Sequence, residues 1–178
     1  MRVTLSFATT ADGYLDDNGP ERLVISTPGD WEAVLRLRAA HDAILVGAET
    51  LRRDNPALLL RDPAVRELRR ARGVRPDLAK VTVTRSGGLS PAMRFFTEGD
   101  ADRYVFSQTE IADLKDIAEV ISTDGLITAA GIVTELEKRG IPAVIMEPLL
   151  GGRLSRLNDH LVGRFKEQRP TQSAASWA

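Results

Sequence analysis

The chain contains no cysteine, which excludes disulfides, thiolate-bound zinc and a cysteine nucleophile. Histidine is nearly as scarce. His41 and His160 are the only two, too few for a histidine-rich centre, and neither sits in a Ser/His/acid pattern. No metal is expected. An excess of one charge is also missing: 24 Lys and Arg stand against 25 Asp and Glu, for a formal net charge of −1. The overall balance therefore calls for neither nucleic acid nor a membrane surface. No segment approaches the roughly 20 apolar residues of a membrane helix, and Met1 leads into Arg2-Val3-Thr4-Leu5 without a targeting core. Two phosphate-binding fingerprints are absent as well, G-x-G-x-x-G after a strand and G-x-x-x-x-G-K-[ST]. These absences lead to the expectation of a soluble, cytoplasmic protein whose partner is a small molecule.

What is present is an alternation of strands and helices. A length of 178 residues suits one domain with a full core. Val3–Ala8 reads as a strand. Thr27-Pro28-Gly29-Asp30 reads as a helix start, with a Thr cap, Pro at the first helical position and an acid three residues on. The helix that follows, Trp31 to Ala40, offers Trp31, Val34, Leu35 and Leu37 to a core. Ala43–Val46, Lys80–Thr84, Arg103–Phe106, Val120-Ile121 and Ala143–Met146 are further strands. Ser107 with Glu110 reads as a capping box for a helix through Ile111, Leu114 and Ile117. Ile127 to Arg139 reads as a helix closed by Gly140. The arginine-rich run from Arg61 to Pro76 reads as a solvated surface excursion. The pattern predicts an α/β fold with a mainly parallel sheet covered on both faces.

The segment most suggestive of chemistry is Asp42 to Arg61, DAILVGAETLRRDNPALLLR. A buried strand ends at Gly47 and feeds a short helix that stops at Asn55-Pro56. In open α/β sheets that carboxyl edge is where ligands bind, and glycine leaves room for close approach. Thr50 and Asp54, at i and i+4, share one helix face. A carboxylate there can orient a ring or handle a proton, although spacing alone favours Asp54 as a hydrogen-bonding residue of the Asn55-Pro56 turn. Glu147 ends an apolar strand, where a solvent-facing glutamate is as reasonable as a ligand-binding one. Gly151-Gly152-Arg153 precedes Leu154, Leu157 and Leu161 at helical spacing and is either a diphosphate cradle or an ordinary loop. Arg85-Ser86-Gly87-Gly88 is either a site for a ribose phosphate or a turn.

Taken together, VTLSFATTADGYLDD, the ISTP helix start, LRAAHDAILVGAETLRRDNPALLLR, VTVTRSGGLSP and the strand ending in AVIME resemble the reductase domain of bacterial riboflavin biosynthesis, a dihydrofolate-reductase-like family. The Leu37–Arg61 block is the specific part. The resemblance implies reduction of a ribosylaminopyrimidine, or a related heterocycle, by hydride from NADPH. It places Thr50 and Asp54 on the nicotinamide side, with Asp54 catalytic, and Gly47 is a further cofactor-binding candidate. Arg85 and Ser86 fall on the 2′-phosphate side, and Gly151, Gly152 and Arg153 at the diphosphate. Leu58, Arg61 and Glu147 are implied to face the substrate.

The sequence departs from that family where Pro148-Leu149-Leu150 separates Glu147 from the glycines, and where Trp31-Glu32 stands in the first helix. These departures support a second reading, a non-catalytic nucleotide-binding or assembly subunit of the same fold. Residues 1–165 are expected to form the reductase domain, with the C-terminal sheet hairpin truncated, and 166–178 to form a polar tail. A homodimer is expected to cover the shortened sheet.

Overall fold

The computed structural model describes residues 3–8, 27–123, 129–141 and 143–146. Among these residues six parallel strands form one sheet in the order β1-β6-β2-β3-β4-β5. They are β1 (Thr4–Ser6), β2 (Ala43–Gly47), β3 (Ala79–Thr84), β4 (Arg103–Ser107), β5 (Glu119–Ser122) and β6 (Ala143–Met146). The helices are α1 (Pro28–Ala39), α2 (Ala48–Asp54), α3 (Pro63–Ala71), α4 (Arg94–Thr97) and α5 (Ala129–Lys138). The predicted parallel α/β sheet is what forms. The expected hairpin truncation, the 166–178 tail and most of the loop after β1 lie outside the described residues.

Topology explains how the faces are covered. From β1 to β5 the chain always steps the same way across the sheet, and only the β5-to-β6 connection steps back. With crossovers of one hand, the first connections must lie on one face and the last on the other. The two cores agree. Ile44, Val46, Leu51, Phe95, Val105 and Leu114 gather beneath α1 to α4, whereas Leu45, Val81 and Phe106 pack on Ile132 and Leu136 of α5. The split follows the period-2 alternation of β2, whose even and odd residues serve opposite faces.

The start of α1 forms as its sequence dictates. Thr27 accepts from the Asp30 amide, and Asp30 accepts from the Thr27 amide at 2.8 Å. Trp31 departs from expectation. It is 51% exposed, with the Arg38 guanidinium 5.2 Å from its ring centre, and Leu37 supplies the packing instead. The Ser107/Glu110 box does not form either. Ser107 is the last residue of β4, its Oγ accepts from the Thr109 amide, and only a 3₁₀ turn at Ala112–Leu114 follows.

The arginine run is also more than a solvated excursion, because it contains α3. Arg69 is 4% exposed and donates to the carbonyls of Arg75 (2.9 Å), Ala39 (3.1 Å) and His41 (2.7 Å). It thereby satisfies the carbonyls that α1 leaves open at its end. Arg66 bonds the buried Asp77, which also accepts from the Leu60 amide. His41 is structural. Its Nδ1 donates to Leu37 O at 2.8 Å, and Nε2 lies 2.9 Å from the Thr4 hydroxyl, joining α1 to β1.

Candidate functional site

At the carboxyl edge of the sheet, β2 ends at Gly47, and α2 begins on the next residue. Gly47 has φ −68°, a value open to any residue, so backbone freedom is not why glycine stands there. Among the described residues a Cβ built at Gly47 meets nothing within 4 Å. The described residues therefore leave room at the strand end for a flat ring.

Within α2, Ala48 and Leu51 are buried in the first core. Thr50 and Asp54, half-buried, lie on the flank of the helix beside that buried face. The helix stops at Asn55, which adopts φ 42° and ψ 53°, and whose side-chain oxygen accepts from the Arg94 amide at 2.8 Å. Leu58 also has positive φ, 54°, and its side chain is 8% exposed within the first core. Its side chain therefore packs into the interior. Holding an L-residue there costs about 1 kcal/mol, and such strain concentrates at functional segments.

The next strand delivers a second piece. Val83 is in register with Gly47, and beyond Thr84 the chain turns through Arg85, Ser86, Gly87 and Gly88. Arg85 and Ser86 are exposed, whereas Gly87 and Gly88 have φ of 70° and 65°. The Thr84 hydroxyl donates to Gly87 O at 2.9 Å and tightens the turn. Arg61, exposed, lies near Glu98, whose carboxyl is held below its ordinary range chiefly by a hydrogen bond from Arg94, with Arg61 a smaller influence.

Arg52 joins the two pieces. From α2 its guanidinium donates to Gly87 O at 2.6 Å and Gly88 O at 3.2 Å, with Glu49 3.1 Å from its other nitrogen. Nothing in the sequence marks Arg52, because its partners are backbone carbonyls more than thirty residues away. The structure thus brings Gly47, Thr50, Asp54, Arg85 and Ser86 to one edge. Glu147, Gly151, Gly152 and Arg153 lie outside the described residues. An open groove of about 460 Å³ sits at the opposite edge, lined by Arg75, Asp102, Arg103, Lys115 and Glu119. Its charges largely pair with one another or with neighbours, as Arg75 does with Asp102 at 3.1 Å. Among the described residues no cluster of acids and histidines could hold a metal, and no helix is long and apolar enough to cross a membrane.

Comparison with known proteins decides the family. The model of the RibD C-terminal domain matches residues 1–155. The chain belongs to the RibD C-terminal domain family. A 2,5-diamino-6-ribosylamino-4(3H)-pyrimidinone 5′-phosphate reductase from Archaeoglobus fulgidus is 26% identical over 171 residues, covering 92% of this chain and 77% of the relative. Among solved structures, a diaminohydroxyphosphoribosylaminopyrimidine deaminase/5-amino-6-(5-phosphoribosylamino)uracil reductase from Thermotoga maritima superposes with a TM-score of 0.67 at 28% identity. That match covers 89% of this chain but only 41% of the Thermotoga protein. A pyrimidine reductase-like protein from Corynebacterium diphtheriae gives a TM-score of 0.65 at 19% identity, over 82% of this chain and 64% of that one, a likeness of fold alone. The RibD C-terminal domain thus accounts for the dihydrofolate-reductase-like sheet, and the Gly47–Asp54 edge falls inside the matched residues.

Proposed function

We propose that this chain is an NADPH-dependent reductase acting on a ribosylaminopyrimidine 5′-phosphate, the class of compound named for the Archaeoglobus relative. One observation carries the reading. Within a RibD C-terminal domain, β2 ends at a glycine whose missing Cβ leaves, among the described residues, clear space beside the helix that bears Thr50 and Asp54.

In this reading Gly47 admits the nicotinamide ring, and Thr50 and Asp54 line that side of it. Asp54 handles the proton beside the reacting ring. Arg85 and Ser86, exposed after β3, take the 2′-phosphate that separates NADPH from NADH, guanidinium to phosphate. Gly151, Gly152 and Arg153 serve the diphosphate. Leu58, Arg61 and Glu147 line the substrate side. Bound NADPH supplies the hydride, and the protein's own residues position the two rings and exclude water. The protein acts in the cytoplasm as a homodimer in this account. Leu5 and Phe7 on the β1 side, 51% and 54% exposed, give a subunit contact apolar material, and light scattering at micromolar concentration tests it.

The experiment is NADPH oxidation by the purified chain with and without a ribosylaminopyrimidine 5′-phosphate. Substrate-dependent oxidation is the expected result. Saturable NADPH binding with no turnover of any such pyrimidine would transfer the case to the non-catalytic subunit. Pro148 is the residue that favours that second reading, because it removes an N–H donor just before the glycines.

A further inference from the structure

Arg52 is the cation of α2 whose contacts all lead away from its own ligand face. Nε donates to Gly88 O at 3.2 Å and Nη2 to Gly87 O at 2.6 Å, with Thr84 Oγ1 3.4 Å from Nη2. Nη1 is held by Glu49, one turn back on the same helix, at 3.1 Å. Both acceptor carbonyls belong to glycines in the left-handed region, φ 70° and 65°, which a chain with side chains there would resist. That pair of conformations turns two successive carbonyls where one planar fork can take both.

The contact spans the gap between the two segments described above. On one side is the helix carrying Thr50 and Asp54, and on the other is the turn carrying Arg85 and Ser86. Asn55, three residues on, caps the same end of α2 and accepts from the Arg94 amide. The Arg52 fork is a direct side-chain tie between that helix and the turn.

We infer that Arg52 is a positioning residue, which holds the Arg85–Gly88 turn at the distance from α2 that an extended dinucleotide needs. Arg52 touches neither reacting ring. It acts through Gly87 and Gly88, and it rests on the reading of this edge as an NADPH site. A lysine offers one point contact in place of a fork and restores the geometry only in part.

The test uses the full chain and the variants Arg52→Met and Arg52→Lys. Three quantities are read: the dissociation constant for NADPH, the same constant for NADH, and deuterium uptake at residues 85–89 without ligand. In Arg52→Met, NADPH binding weakens about tenfold while NADH changes less, because the turn that takes the extra phosphate has lost its tether. Uptake at 85–89 rises and uptake in β2 and β4 does not. Arg52→Lys falls between the two. Wild-type affinity for NADPH in Arg52→Met, with faster exchange in the turn, would leave Arg52 a mere surface brace and overturn the inference alone. Failure of the wild-type chain to bind either nucleotide would remove the reading of the site and this inference with it.

Discussion

Lys80 Nζ donates to the carbonyl oxygen of Glu98 at 2.6 Å, and to that of Phe95 at 3.0 Å, from a side chain with 0% exposure. The amine stands at the start of β3 on the face of the large core, 5.7 Å from the centre of the Phe95 ring. It ties the residues around α4 to the sheet. Burial is the main influence lowering its pKa, with Arg103 adding to it and Asp77 and Glu98 opposing, and the result is about 8 against an ordinary 10.5.

A pH dependence follows from Lys80. Between about 8 and 10.5 the unfolded chain keeps this proton and the folded chain has released it, so stability rises with pH across that window. The penalty is fully present below the folded pKa and gone above the unfolded one. Relative to Lys80→Met, the wild type should gain roughly 3 kcal/mol of unfolding free energy over the window. Urea unfolding at a series of pH values measures it. Parallel curves for the two proteins would mean that the buried amine titrates normally.

Arg69 is expected to matter far more to stability than its neighbour Arg70. Arg69→Met leaves three carbonyls without their donor in the interior, a loss of about 3 kcal/mol. Arg70 pairs with Glu67 on the surface, and Arg70→Ala should cost less than about 0.5 kcal/mol. Denaturant midpoints for the two variants decide this.

Two glycines separate space from strain. Gly47→Ala fits the backbone and meets no atom within 4 Å, so stability should move by no more than about 1 kcal/mol. The added methyl nevertheless enters the space assigned to the nicotinamide, and NADPH affinity should fall at least tenfold. Gly99 stands at φ 74°, and a Cβ there runs into the Leu59 side chain. Gly99→Ala should therefore cost about 1–2 kcal/mol and leave NADPH affinity unchanged. Calorimetry together with cofactor titration reads both effects.

Asp54→Asn keeps the size of the side chain on the half-buried face of α2. Turnover should fall by two orders of magnitude or so, in the range general acid–base groups contribute, with the melting temperature within a few degrees of wild type. Parallel loss of activity and melting temperature would make Asp54 a residue of the Asn55 turn.

The elements legible in the sequence were those written locally. Thr27 and Asp30 satisfy each other's amides within one turn, and the stop at Asn55 is built from neighbouring residues. The path from β2 through Gly47 into α2 follows from an apolar run meeting a glycine. Arg69, Arg52 and Lys80 were not legible, because each satisfies main-chain carbonyls that only the tertiary fold brings within reach. Charge patterning assigns such residues to solvent, and for Arg69 and Lys80 three-dimensional hydrogen bonding reverses the assignment. Ser107 misled for the opposite reason. Its capping-box pattern was present, but β4 runs through Ser107, and its hydroxyl serves the Thr109 amide. At the carboxyl edge, the positions of Thr50 and Asp54 on α2 and of the Arg85-Ser86 turn after β3 follow from sequence, whereas the Arg52 contact between the two segments does not.

The carboxyl edge around Gly47 and α2 is proposed to bind NADPH. Titration of the purified chain with NADPH, followed by cofactor fluorescence with NADH as the control, tests it most directly. Saturable binding with a clear preference for NADPH is the predicted result. Absence of binding by either nucleotide would contradict the account and leave the chain a RibD C-terminal domain fold without its cofactor.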